Sequence, residues 1–162
     1  MLLTAAFLPL LATISAISLD KREVEQGAQI RLKSSQQCVS RLAEGSQALM
    51  LAACDGADRW DINDNPNGAG PIVLSASGDQ VAWDGASTPD AYVNVEGLDS
   101  DRQGQRWTVS ENGEIFYATD SNGEEIKVCA EYFDQQLGQD QGYIRRYKCS
   151  GKGAQQFEII SE

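Results

Sequence analysis

The chain has 162 residues, of which 41% are hydrophobic and 23% charged, with a formal net charge of −11 and no histidine. Without histidine it lacks the Ser-His and Cys-His nucleophilic pairs, the HExxH zinc motif and an imidazole proton carrier at neutral pH. The acidic balance argues against nucleic acid as a partner, because neutralising phosphates requires clustered lysines and arginines.

The N-terminal segment is predicted to be a secretion leader. Residues 1–18 form an uncharged, apolar run that ends in small residues, as in a signal peptide, and the run is too short to favour a membrane anchor. Residues 19–22 end in Lys21-Arg22, the kind of dibasic site at which a short propeptide is removed; a chance surface pair is the alternative. We therefore expect a secreted, extracellular protein without membrane insertion, whose residues 23–162 form a single domain.

All cysteines lie in this expected mature chain, at Cys38, Cys54, Cys129 and Cys149. In an oxidising compartment an even number of cysteines indicates disulfides, here with three possible connectivities. The spacing favours Cys38 with Cys54 and Cys129 with Cys149, because each bridge would close a loop the size of a hairpin. No CxxC pair and no histidine can complete a tetrahedral metal site, so we expect neither a metal nor a cofactor.

Short runs of alternating apolar and polar residues dominate the chain from Gln29 onward. Examples are residues 29–33, 92–95 and 106–109, and glycine and asparagine separate these runs in the manner of turns. Helical periodicity is nearly absent from this part. The pattern predicts an all-β protein.

The runs recur in three units. Each unit opens with a triplet that begins with isoleucine, at residues 30–32, 72–74 and 115–117, so the openings are 42 and 43 residues apart. Each unit closes with an aromatic, a polar and an aliphatic residue, and the aromatics Trp60, Trp107 and Phe157 are 47 and 50 residues apart. With a hairpin between opening and closing, three units of four strands predict about twelve short strands around these aromatics, which we expect in the core.

The motifs of these units resemble the ricin B-type lectin domain. The first unit follows C-V-x(n)-L-x-L-x-x-C-D-G-x-x-x-W-x-I from Cys38 to Ile62, and the later units carry Q-x-W at residues 105–107 and Q-x-F at residues 155–157. The resemblance covers residues 29–160 and implies a β-trefoil, in which three repeats around a pseudo-threefold axis form a six-stranded barrel capped by three hairpins. The first unit departs from the pattern with Asp58 in place of glutamine, and the second unit lacks cysteines.

The resemblance also implies a shallow sugar site in each repeat, built from a carboxylate, a polar residue and an aromatic ring. The third repeat matches best: Glu131 is expected to accept hydrogen bonds from sugar hydroxyls and Tyr147 to stack on the sugar, while Arg145 replaces an amide and would set the preference toward acidic sugars. A surface ion pair between Glu131 and Arg145 without a function is the alternative. Arg146 does not fit, because strand alternation favours a core aliphatic residue at that position.

The second repeat is a weaker candidate, with Trp83, Asp84 and Asn94. Its alignment leaves open whether Trp83 or Asp84 takes the position of the acid, and Trp83 is also a candidate for the hairpin core. The first repeat has Ser40, Met50 and Ala52 at the site positions and matches none of the expected chemistry.

These observations predict a lectin-like protein that binds a glycan or glycoprotein. The alternative is a secreted interaction protein, either a protease inhibitor or an effector, that contacts a secreted protein target and does not bind sugar. Enzymatic activity is not expected, because one trefoil accounts for the whole mature chain.

Overall fold

A computed structural model describes residues 24–63, 68–75, 80–85, 92–121, 123–134 and 142–161. The predicted signal peptide, residues 1–18, and the predicted propeptide, residues 19–22, lie outside the described residues. Within the described part, no helix has the length and apolar character needed to cross a bilayer.

The prediction of an all-β protein is confirmed. The described residues contain no α-helix and two 3-10 turns, Gln103–Gln105 and Gly153–Gln155. They contain twelve strands: β1 (Val24–Leu32), β2 (Cys38–Arg41), β3 (Leu49–Ala52), β4 (Trp60–Asn63), β5 (Val73–Leu74), β6 (Val81–Asp84), β7 (Asn94–Gly97), β8 (Thr108–Val109), β9 (Ile115–Ser121), β10 (Glu124–Phe133), β11 (Tyr143–Lys148) and β12 (Phe157–Ile160). All pair antiparallel, in the order β7-β6-β5-β4-β1-β2-β3-β11-β10-β9-β8, with β12 against β1.

Strand β1 shows how the alternating sequence produces this sheet. Ile30 and Leu32 are buried, whereas Arg31 between them reaches Glu158 of β12 at 2.7 Å. The register of β1 against β4 shifts between Glu25 and Ala28, and Gly27 at this bulge has φ +65°. A bulge in that conformation favours glycine, because a Cβ atom would strain the backbone.

Three of the antiparallel pairs are hairpins that carry the candidate site residues. Hairpin 1 is β2–β3, hairpin 2 is β6–β7 and hairpin 3 is β10–β11. Each hairpin also pairs with the next through single backbone contacts: Ala48 with Asn94, Tyr92 with Arg145, and Tyr143 with Met50. The hairpins are therefore held against one another, and residues far apart in sequence meet between them.

The aromatics that close the three units lie in the core, as predicted. Trp60 is fully buried, and Trp107 and Phe157 are each 1% exposed. Trp83 lies between Trp60 and Trp107 with T-shaped ring contacts at 5.5 and 6.0 Å, an arrangement that aromatic pairs favour. The core thus continues from the closing aromatics into hairpin 2.

Both predicted disulfides are present, Cys38–Cys54 and Cys129–Cys149. They span 16 and 20 residues, so each is expected to contribute about 3 kcal/mol by restricting the unfolded chain. The first joins hairpin 1 to the segment that leads into β4, and the second joins β10 to the end of β11.

Arg146, which strand alternation left unexplained, is half-buried and not part of the apolar core. Its Nη1 donates to the backbone oxygen of Gly85 at 2.7 Å, and the Tyr117 hydroxyl donates to the same oxygen at 3.0 Å. A long side chain that ends on a buried carbonyl fills the position of an aliphatic residue and satisfies a polar group at the same time. Arg146 therefore ties hairpin 3 to the end of β6.

Candidate functional site

The cross-strand registers align the candidate positions of the three hairpins. Ser40 faces Met50, Asp84 faces Asn94, and Glu131 faces Arg145. This resolves the alternative that the sequence left open in the second repeat, because Asp84 takes the position of the acid. Two indole contacts agree: Trp60 donates to the Val39 oxygen and Trp107 to the Trp83 oxygen, which aligns Trp83 with Val39.

In hairpin 3, Glu131 and Arg145 form an ion pair beneath the surface. Glu131 is 6% exposed, and its Oε1 accepts hydrogen bonds from Nε of Arg145 at 2.9 Å and from Nη2 of the same side chain. Its Oε2 accepts from Nε2 of Gln155 at 2.8 Å. These donors replace the water that the buried carboxylate has lost, so the geometry is that of the surface-pair alternative, but more deeply buried.

Gln155 connects this pair to the backbone. Its Oε1 accepts from the backbone nitrogen of Ser150 at 2.7 Å, and its Nε2 also donates to the oxygen of Lys148 at 2.9 Å. Gln105 makes corresponding contacts, accepting from Asp99 at 2.8 Å and donating to Gly97 at 3.0 Å. The glutamines of the Q-x-W and Q-x-F motifs thus satisfy backbone groups after β7 and β11.

Aromatic rings flank Arg145 on the outer face of hairpin 3. Its guanidinium carbon lies 3.7 Å from the ring centre of Phe133 and 4.6 Å from that of Tyr147, both within the range of cation–π contacts. The Tyr147 side chain is 51% exposed. Phe133 was not predicted from the sequence, although its position two residues after Glu131 on the same strand places it on the same face.

Tyr147 also lines a cleft of about 340 Å³. Gln103 and Lys148 supply polar groups to this cleft, and Ile126 and Val128 supply an apolar wall. Tyr147 therefore contacts the guanidinium of Arg145 and also borders an open cleft. An exposed ring beside polar donors is the chemistry that binds the C–H face and hydroxyls of a sugar.

In hairpin 2, burial corrects the weaker site prediction. The Trp83 ring is 0% exposed in the core, and Asp84 is also 0% exposed. Asp84 accepts from Nη1 of Arg102 at 2.8 Å and from Nε2 of Gln105 at 3.3 Å. Neither side chain offers a surface to a ligand in this arrangement, so Trp83, Asp84 and the half-buried Asn94 do not form an open site.

In hairpin 1 the carboxylate comes from a different position, which explains why Asp58 replaces the glutamine of the motif. Asp58 accepts from the backbone nitrogen of Arg41 at 2.8 Å and from its Nε and Nη2 at 2.9 and 3.0 Å, and Ser40 donates to it at 3.2 Å. Ser40 occupies the position that corresponds to Asp84 and Glu131 in the other two hairpins. Asp58 occupies the position that corresponds to the amides Gln105 and Gln155. Each hairpin thus contributes at least one partner of a carboxylate–arginine pair, of which only the Glu131–Arg145 pair was anticipated from the sequence.

The environment of Asp58 shifts its pKa. Burial by itself would raise this pKa, but the hydrogen bonds from Arg41 and Ser40 outweigh burial, so the pKa of Asp58 lies below its usual value. Such a carboxyl group stabilises the fold when the pH is above about 4, the pKa of an aspartate in the unfolded chain. The stabilisation is lost as the pH falls through the lower pKa of the folded state.

Asp58→Asn is accordingly expected to lower the free energy of unfolding by about 1 to 2 kcal/mol at pH 7, because an amide accepts weaker hydrogen bonds from Arg41. The difference from the parent protein should shrink toward zero in strong acid, where Asp58 is protonated in both states. Urea unfolding at both pH values measures it, with the exposed Asp55→Asn as the matched control. A difference that stays constant with pH would contradict the lowered pKa.

No protein-family model and no curated protein matches this sequence. Among solved structures, the chain is similar to the solution structure of the mdaA-1 domain, with a TM-score of 0.63 and 14% sequence identity. The alignment covers 87% of this chain and 93% of that one. A similarity of this kind shows a shared fold over most of the chain.

Proposed function

We propose that this chain is a secreted β-trefoil of the ricin B type that binds carbohydrate through hairpin 3. Support for three repeats comes from the contacts between hairpins, because the paired positions correspond: 48 with 94, 92 with 145, and 143 with 50. In the registers of the hairpins, positions 48, 92 and 143 are equivalent, as are positions 50, 94 and 145. The same contact therefore occurs once between each pair of hairpins, as a threefold arrangement requires.

The strands outside the hairpins support the same proposal. Backbone contacts join Ala28 to Trp60, Gly70 to Trp107, and Gly113 to Phe157, which relates the opening of each unit to its closing aromatic. Strand β12 pairs with β1, β4 with β5, and β8 with β9. Together these contacts connect six strands in a closed ring, the barrel that a trefoil contains.

One observation carries the proposal of carbohydrate binding: the half-exposed Tyr147 has its ring against the Arg145 guanidinium and borders an open cleft. Glu131 has a different role from the one expected from the sequence, since Arg145 and Gln155 already donate to both of its oxygens. In this proposal Tyr147 stacks on the sugar and Arg145 donates to its hydroxyls, while Glu131 holds Arg145 in position. The neutralised charge of the pair favours a neutral sugar over an acidic one.

Tyr147→Ala is expected to weaken glycan binding about tenfold, because a stacked ring contributes roughly this much to affinity. Glycans selected on an array would be titrated by calorimetry into the parent protein and the variant. Tyr147→Phe, which keeps the ring, should bind nearly as well as the parent, and Leu42→Ala tests an exposed apolar residue on hairpin 1. Full binding by Tyr147→Ala would remove Tyr147 from the site.

A second candidate function is protein binding without sugar. The observation that favours it is that the carboxylate at each of the three hairpins is paired with an arginine of the same chain. These carboxylates are Asp58, Asp84 and Glu131. A carboxylate held in this way is less available to sugar hydroxyls. An array without a bound glycan, together with inhibition in a panel of secreted proteases, would favour this candidate.

Secretion is part of the proposal, and the two disulfides support it, since disulfides persist in oxidising compartments. Expression through a eukaryotic secretory pathway, followed by N-terminal sequencing, tests the leader. The expected product begins at Glu23, directly after Lys21-Arg22.

A further inference from the structure

A continuous row of side chains extends beyond Tyr147 along the outer face of hairpin 3. Tyr147, Arg145 and Tyr143 occupy alternate positions of β11 and so lie on one face, and Phe133 faces Tyr143 from β10. The rings of Phe133 and Tyr143 are 5.7 Å apart, and those of Tyr143 and Tyr92 are 4.3 Å apart. Tyr92 thus adds a ring from the adjacent hairpin 2 to the end of the row.

The row is longer than a single sugar. From Tyr143 to Tyr147 the strand rises about 13 Å, at roughly 3.3 Å per residue, and Tyr92 extends the row further. Tyr147 and Tyr92 at its two ends are 51% and 37% exposed, and Phe133 and Tyr143 between them are partly buried. A row with exposed rings at both ends can contact several units of an extended ligand.

Hairpin 1 shows that the fold does not require these rings. The positions in hairpin 1 that correspond to Phe133, Tyr143, Arg145 and Tyr147 hold Leu42, Ala48, Met50 and Ala52. None of these is aromatic, although each of the two hairpins has its own disulfide and both have the same cross-strand register. The row is therefore a property of hairpin 3 and its neighbour, and packing of the hairpin alone does not account for it.

The charge of the row restricts its occupant. Its one cation, Arg145, is neutralised by Glu131, and the protein as a whole carries a formal charge of −11. An acidic polymer would be repelled by the whole molecule and would find no free cation in the row itself. A neutral ligand with flat C–H faces and many hydroxyls suits four rings whose tyrosine hydroxyls can bond to it.

We propose that this row binds a neutral, linear β-1,4-linked oligosaccharide of three or more units, with Tyr147 at one end of the bound chain and Tyr92 at the other. Such a chain exposes C–H groups on the faces of successive sugar rings, and the aromatic rings of the row, tilted by 46° and 60° between neighbours, would contact successive units in turn. The inference rests on the proposed carbohydrate binding and adds the class and length of the ligand.

Titration calorimetry with glucose, cellobiose, cellotriose and cellotetraose, and with the corresponding N-acetylglucosamine series, tests the proposal. In one of the two series, the association constant should rise with each added sugar unit until the oligosaccharide has three or four units. The total rise should be about tenfold. Tyr92→Ala should reduce the association constant of the longest oligomer about five- to tenfold and leave the shortest ligand that binds unchanged, whereas Tyr147→Ala should weaken both. Leu42→Ala, a change at an exposed apolar residue of hairpin 1 outside the row, is the control, and the thermal midpoint of each variant reports folding.

Equal affinity at every length, or no effect of Tyr92→Ala, would overturn the extended site. Binding confined to glycans on the array without a β-1,4-linked chain would overturn it too, although the proposed function would stand. No glycan binding at all would contradict both the extended site and the proposed carbohydrate-binding function. Self-association of the parent protein that Tyr92→Ala abolishes, seen by analytical ultracentrifugation, would assign the row to a second copy of the chain and overturn the proposal.

Discussion

Replacing Trp107 by alanine is expected to lower the free energy of unfolding by about 4 kcal/mol. The side chain is 1% exposed, and its ring contacts Trp83 at 6.0 Å and Tyr117 at 5.0 Å. Its Nε1 donates to the backbone oxygen of Trp83 at 3.0 Å, so the change removes a hydrogen bond as well as most of the packing. Domains of this size are commonly stable by about 5 to 15 kcal/mol, so the change should remove at least about a quarter of the total stability.

Urea unfolding followed by circular dichroism measures this loss without depending on tryptophan fluorescence. Arg106→Ala, which truncates the exposed neighbour of Trp107, is the matched control and should change stability by less than about 0.5 kcal/mol. A loss below about 2 kcal/mol for Trp107→Ala would mean that the core relaxes around the missing ring.

Conservative replacements separate packing from hydrogen bonding in the same core. Trp60 donates its Nε1 to the Val39 oxygen at 3.1 Å, whereas Nε1 of Trp83 is buried without a hydrogen-bond partner in the described part of the chain. Phenylalanine removes a similar volume at either position. Trp60→Phe should therefore cost about 1 kcal/mol more than Trp83→Phe, and equal losses would contradict this difference in bonding.

Local patterns in the sequence predicted the parts of the fold that depend on local chemistry. The alternation at residues 29–33 and the recurring opening triplet at residues 115–117 predicted strands that the structure contains, and the spacing of the cysteines predicted both disulfides. The closing aromatics were predicted to be buried because large apolar side chains at regular intervals need a shared core. Each of these predictions rests on residues close together in sequence or on a simple periodicity.

The ion pairs between distant residues could not be predicted in the same way. Arg102 reaches Asp84 across 18 positions, and Arg41 reaches Asp58 across 17, with no motif that marks either arginine as a partner. Trp83 was a candidate for a sugar platform because the sequence could not show that its ring lies between two other indoles. Partners of this kind depend on how the units pack, which a single sequence does not display.

The candidate site illustrates the same limit. Its residues Glu131, Arg145 and Tyr147 were named from the sequence, and the structure brings all three together. Their arrangement was open, because a carboxylate facing a guanidinium can bind a ligand or its own neighbour. The extension through Phe133 and Tyr92 needed the strand register and the contact between hairpins 2 and 3.

A double-mutant cycle at Glu131 and Arg145 is expected to show strong coupling. Arg145→Met should lower the free energy of unfolding by about 3 kcal/mol, because it leaves the 6%-exposed Glu131 carboxylate with its main cationic donor removed. The double variant, Glu131→Gln with Arg145→Met, should lose much less than this single change, since no buried charge remains and the glutamine can still bond to Gln155. Urea unfolding of the parent, both single variants and the double variant gives the coupling free energy. Additive losses would mean that the carboxylate is hydrated and the pair contributes little.

The same variants distinguish a structural pair from a ligand contact. If Arg145 donates to a bound sugar, the stable double variant should bind the glycan selected on the array about tenfold more weakly than the parent, while Tyr147 still supplies its ring. If the pair only holds hairpin 3 together, the double variant should bind as well as the parent. Because the double variant keeps its fold in either case, weaker binding by it cannot be attributed to unfolding, and the result assigns Arg145 to the site or removes it.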